Sequence, residues 1–101
     1  MPKTPRQLDK EIAEALSGGS RTTARFTIHG ARKGKNKTKY TDSAVEADHI
    51  ARNWAKEDFL ITVLEQDPDT HEYQAVMVSN RKDGEMVIKI LSPSFYQALT
   101  H

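Results

Sequence analysis

Arg21, Arg25, Arg32, Lys33, Lys35, Lys37 and Lys39 place seven bases between Arg21 and Tyr40, with no acid among them. Guanidinium and ammonium groups at this density suit one kind of chemistry: they hold phosphates and other anions by charge and by donated hydrogen bonds. The formal net charge of the whole chain is only +1. The other 81 residues therefore keep eight of the 15 bases and all 14 acids, a balance of −6 against +7. Such segregation points to a polyanion, or to an acidic surface on another copy of the chain. Thr23, Thr27, Asn36, Thr38 and Tyr40 interleave hydroxyl and amide donors, the groups that accompany Arg and Lys in phosphate contacts. A two-stranded ribbon carrying them has the dimensions of a DNA major groove. The expected contacts are Arg21, Arg25, Arg32, Lys33, Lys35, Lys37 and Lys39 to phosphates, with Thr27, His29 and Asn36 adding hydrogen bonds.

Other chemistries have thinner support. His29, His49, His71 and His101 fall on different expected elements, with no HExxH and no paired ligand spacing. "DPDTHE" alternates Asp67, Asp69 and His71, yet lacks the glycine and distant glutamate of a calcium loop. It reads as a hairpin turn. Glu57-Asp58 and Asp67/Asp69 are paired carboxylates, but acid–base work needs a pocket that sequence does not display. No serine sits in a GxSxG setting and there is no cysteine to act as a nucleophile. "GARKGKNKT" lacks the Gly-Lys-Ser/Thr ending of a phosphate-binding loop. The expectation is a non-enzymatic protein with neither cofactor nor metal.

Which elements would position the basic run? Thr4 as N-cap, Pro5 at the first turn and Leu8, Ile12, Ala15 and Leu16 at helical spacing predict an N-terminal helix. Gly18-Gly19 ends it, and residues 1–20 read as a loosely attached helix and linker. "TTARFTIH" alternates, with Ala24, Phe26 and Ile28 inward and Arg25, Thr27 and His29 on a wet basic face. "GARKGKNK" reads as a loop, and "TKYT" as a short return strand completing a hairpin tipped by the lysines. Ser43 and Glu46 can form a capping box for a second helix, with Thr41 and Asp42 as competing caps, and its stripe is Ala44, Ala47, Ile50, Ala51, Trp54 and Ala55.

Three strands follow as a meander: "FLITVLEQ", "EYQAVMVS" and "MVIKIL", separated by the turns "DPDTH" and "NRKDGE". A short helix in "SPSFYQALTH" closes the chain, with Ser92 as N-cap and Pro93 at its first position. The fold class expected is α+β, a small mostly antiparallel sheet packed with helices, in a single domain over 1–101 with its core in 21–101. From Ser43 onward the element order resembles that of a double-stranded-RNA-binding domain. That family carries lysines at the start of its last helix, whereas "LSPSFYQALTH" has no lysine or arginine. The likeness is one of topology alone.

"FLITVLEQ" is apolar on both faces: Leu60 and Leu64 share one, Phe59, Ile61 and Val63 the other. The Trp54 helix covers one face. A terminal helix or a second subunit must cover the other, so the rival reading is a protein-interaction adaptor or small regulator, working through that face and the N-terminal helix and able to self-associate. The absence of cysteine fits a reducing compartment. "MPKTPRQLDKEIAEAL" has no apolar core of a secretory signal, and "DFLITVLEQ" is too short to cross a membrane. A cytoplasmic location with no membrane partner is the expectation.

Overall fold

The structure, a computed structural model, describes residues 24–100. The expected N-terminal helix and linker, Arg21, and His101 lie outside the described residues. Five strands and two helices follow in the order β1 (Phe26–Arg32), β2 (Lys35–Thr41), α1 (Ala44–Lys56), β3 (Leu60–Gln66), β4 (Tyr73–Lys82), β5 (Glu85–Ile90) and α2 (Pro93–Thr100). They form a small α+β fold built on one antiparallel sheet with strand order β2-β1-β3-β4-β5. Among the described residues, no helix is long and apolar enough to cross a membrane.

The hairpin is present, but its lysines do not form a loop. β1 and β2 pair without interruption from Phe26↔Thr41 to Arg32↔Lys35, and only Lys33 and Gly34 turn the chain. Both have positive φ, 36° and 80°, the signature of a two-residue turn whose twist matches that of the flanking strands. The same device recurs between β4 and β5, where Asp83 and Gly84 have φ of 53° and 80°. Both segments therefore correct the loop reading. A polar, glycine-containing run is strand wherever a neighbouring strand satisfies its backbone groups, since polarity alone does not forbid pairing.

α1 begins where the capping box places it: the Ser43 hydroxyl accepts the Glu46 backbone N–H at 3.1 Å. Its alanines let it lie close to the sheet, burying Ala47, Ile50, Ala51 and Ala55. α1 carries the chain from the β2 edge across β1 to β3, so β1 is the second strand of the sheet with a partner on each side. α2 is capped by Ser92, whose hydroxyl accepts the Phe95 N–H at 3.3 Å. Phe95 then meets Phe26 edge to face, centroids 5.6 Å apart.

The main core cluster joins α1, α2 and one sheet face: Phe26, Ile28, Ile50, Phe59, Ile61, Val63, Val76, Met77 and Phe95 are among its members. A bulge between Val63↔Met77 and Leu64↔Ala75 leaves Val76 as the extra residue on β4. Ser79, also on the helix-covered face, is buried and its hydroxyl accepts the Ile61 N–H at 2.8 Å. Leu64 and Thr27, paired across β1 and β3, face the other side of the sheet.

Candidate nucleic-acid interface

Strand alternation and register decide where each base points. Cross-strand partners in an antiparallel pair project from the same face. Ile28↔Lys39, Gly30↔Lys37 and Arg32↔Lys35 therefore put Lys35, Lys37 and Lys39 on the helix-covered side, at the edge that β2 forms. Thr27↔Tyr40, His29↔Thr38 and Ala31↔Asn36 occupy the opposite face. The single wet basic surface expected from Arg25, Thr27 and His29 together with the lysines is not what forms. The register sets the odd positions of β2 opposite the even positions of β1, which parts the lysines from Thr27 and His29, and alternation within β2 parts them from Asn36. Thr27 is only 1% exposed.

Of the six bases of the run among the described residues, three are engaged within the chain. Arg25 pairs through Nε with Glu65 Oε2 at 2.7 Å, lies over Phe26, and its backbone N–H donates to Asp42. Lys37 Nζ sits 2.9 Å from Glu57 Oε2 and 4.4 Å and 5.3 Å from the ring centroids of Phe59 and Trp54. Arg32 donates from Nη1 to the Glu57 carbonyl at 3.1 Å, with its guanidinium 5.9 Å from the Phe59 centroid. Trp54, Glu57 and Phe59 thus form a clamp on the hairpin, at the junction of α1 and β3.

That clamp explains Gly30. A Cβ there would lie 2.9 Å from Trp54 Cε3 and 3.4 Å from Phe59 Cδ1, so only glycine lets the indole lie on the strand. The sequence pattern did not mark Glu57, Trp54 or Phe59 as partners of the basic run. Only the Gly30↔Lys37 pairing brings them together.

What remains for a partner is narrower than the full run. Lys33, at the turn, and Lys35 and Lys39, on β2, are exposed, and among the described residues none pairs with a carboxylate. Lys35, Lys37 and Lys39 recur every second residue, roughly 7 Å apart along the strand. Asn36 is exposed on the other face; His29 is half-buried, with its Nδ1 buried and unpartnered.

The other constellations resolve into structure. Asp67 Oδ1 accepts the backbone N–H groups of Asp69 at 2.8 Å and Thr70 at 3.0 Å, which makes "DPDTH" a side-chain-stabilised turn. Asp58 pairs with Arg81 as Glu57 does with Lys37. Among the described residues no group of three His, Asp or Glu side chains could hold a metal ion. Two open clefts of about 90 and 230 Å³ flank the Arg25–Glu65 pair, below the roughly 300 Å³ at which small-molecule sites begin. Comparison with protein-family models, with curated proteins and with solved structures finds no match for this chain.

Proposed function

We propose that the protein is a non-enzymatic binding module that holds a polyanion, most readily nucleic acid, against the β2 edge of its sheet. The observation that supports this reading is the row of unpaired lysines: Lys33 at the turn, then Lys35 and Lys39 on one side of a single edge strand. Lys37 between them is held by Glu57 and the aromatic clamp. It stiffens the row more than it adds a free charge. Arg32 keeps donors to spare beyond its one bond to the Glu57 carbonyl. The contacts expected are to phosphates, which position without reading sequence.

Lysines on an edge strand also discourage edge-to-edge aggregation, and β2 is an edge. The two roles differ in salt dependence. Three phosphate contacts to duplex DNA give a slope of log K against log salt near −2.7, and to a single strand near −2.1. Fluorescence anisotropy with a labelled oligonucleotide, from low to moderate salt, measures it. Lys35→Glu with Lys39→Glu should abolish binding while leaving the thermal midpoint unchanged. Absence of binding at low salt, or binding indifferent to that double variant, leaves edge protection as the whole role of the row.

A further inference from the structure

We propose that β5 is a self-association edge: two copies of this chain pair it antiparallel about a two-fold axis through Val87, with Glu85 of each facing the partner's Lys89. This pairing is independent of the anion-binding reading, which concerns β2 at the opposite end of the sheet.

The two edges of the sheet are unlike. β2 carries Lys35, Lys37 and Lys39 on alternate residues. Paired antiparallel with itself about Lys37, it sets lysine against lysine, and like charges directly opposite repel. β5 reads EMVIKI, with no proline and one charge of each sign. Val87 is 43% exposed, and Met86, Ile88 and Ile90 on the other face are only half-buried. Among the described residues no strand pairs with its outer side. A short apolar strand with open backbone groups is a template for another strand.

Backbone phase limits the registers that a second copy can adopt. Leu91 donates its N–H to the Val76 carbonyl at 2.8 Å, toward β4. Alternation turns the backbone groups of Lys89, Val87 and Glu85 the same way, so those of Met86, Ile88 and Ile90 point outward. The Asp83-Gly84 turn requires the same phase, because a two-residue turn closes on its flanking pair, Lys82 and Glu85. A second β5 bonds only through its own outward residues, which forbids registers centred between two residues.

Charge then chooses among the registers left. Centred on Val87, Met86 and the partner's Ile88 exchange both backbone bonds, as does the reciprocal pair. Val87 meets its own copy, and Glu85 stands across from the partner's Lys89 on either side of it. Centring on Ile88 instead sets Glu85 against Leu91 and Lys89 against Val87, which loses both ion pairs. Centring on Met86 leaves only residues 85–87 of the strand paired. The continuous sheet that results carries the two lysine-bearing β2 edges at its outer ends.

A single strand pair is a small interface, so sedimentation velocity from about 10 µM to 1 mM chain should show a reversible monomer–dimer equilibrium. Glu85→Lys or Lys89→Glu alone sets like charges opposite each other and should weaken the dimer about tenfold or more. Mixing the two variants should restore association; both positions are exposed, so neither change disturbs the core. The chain has no cysteine, so oxidation of single-cysteine variants reads the register directly. Val87→Cys should cross-link rapidly to its own copy, because opposed residues of a non-bonded pair have Cα atoms about 4.5 Å apart, within disulfide reach. Glu85→Cys, also exposed, lies roughly 13 Å from its copy in this register and should cross-link severalfold more slowly. A chain still monomeric at the highest concentration, which leaves the edge to an extended strand of another protein, overturns the proposal. So does a dimer indifferent to the charge reversals, growth beyond the dimer, or equal cross-linking at the two positions.

Discussion

Lys37 Nζ lies 4.4 Å from the centroid of the Phe59 ring, the middle lysine of the row folded back onto the residue that leads into β3. Together with Trp54 and Glu57 this contact ties the hairpin to α1. Lys37→Ala should therefore act on stability more than on anion binding. Both partners in the ion pair are well exposed, so the aromatic contacts dominate and the cost is about 0.5–1 kcal/mol. That corresponds to a midpoint lower by roughly 2–8 °C for a domain of this size. Thermal denaturation followed by circular dichroism measures it. Anisotropy at fixed salt should show a smaller loss of affinity than Lys35→Ala or Lys39→Ala.

Gly30→Ala should destabilise by about 1–3 kcal/mol, the cost of forcing a methyl into a packed site. Its backbone is ordinary, and the obstacle is Trp54 Cε3 at 2.9 Å. Urea denaturation of Gly30→Ala, Trp54→Leu and the pair gives a double-mutant cycle. The alanine should cost less in the Trp54→Leu background. Additive penalties would mean that the indole is not what excludes the side chain.

The two hairpin turns allow a matched comparison. Gly34→Ala and Gly84→Ala each force an alanine to φ near 80°, with open space around the new methyl. Each should cost about 1–2 kcal/mol. Only the first lies beside the lysine row, so only Gly34→Ala should also weaken oligonucleotide binding. Equal losses of affinity would point away from the β1–β2 hairpin.

Ser79→Ala leaves the Ile61 N–H buried without an acceptor, since Ser79 Oγ takes it at 2.8 Å. The expected cost is about 1–3 kcal/mol by chemical denaturation. Ser79→Thr, which keeps the hydroxyl, should recover part of it. Hydrogen exchange at the Ile61 amide should accelerate in the alanine variant beyond the change at Val63.

Much of the architecture was legible in the residues themselves. The Ala44–Lys56 helix follows from one capping pair and a 3.6-residue stripe, and the β3–β5 meander from alternation between turn signals. The division of "FLITVLEQ" into two faces also follows from alternation alone, because successive side chains in a strand must point opposite ways. Charge segregation is likewise a property of order along the chain.

Register and packing decided the rest. Whether "GARKGKNK" is loop or strand depends on a partner that only β1 supplies, and pairing Gly30 with Lys37 is what sends the lysines toward α1 and away from Thr27 and His29. Arg25, Arg32 and Lys37 are alike as bases in sequence. Tertiary structure alone set Glu65 beside the first and the Glu57–Phe59 region beside the other two. Local sequence governs backbone preference and alternation, which are short-range, whereas the availability of a charge depends on neighbours 20 to 40 residues away in the chain.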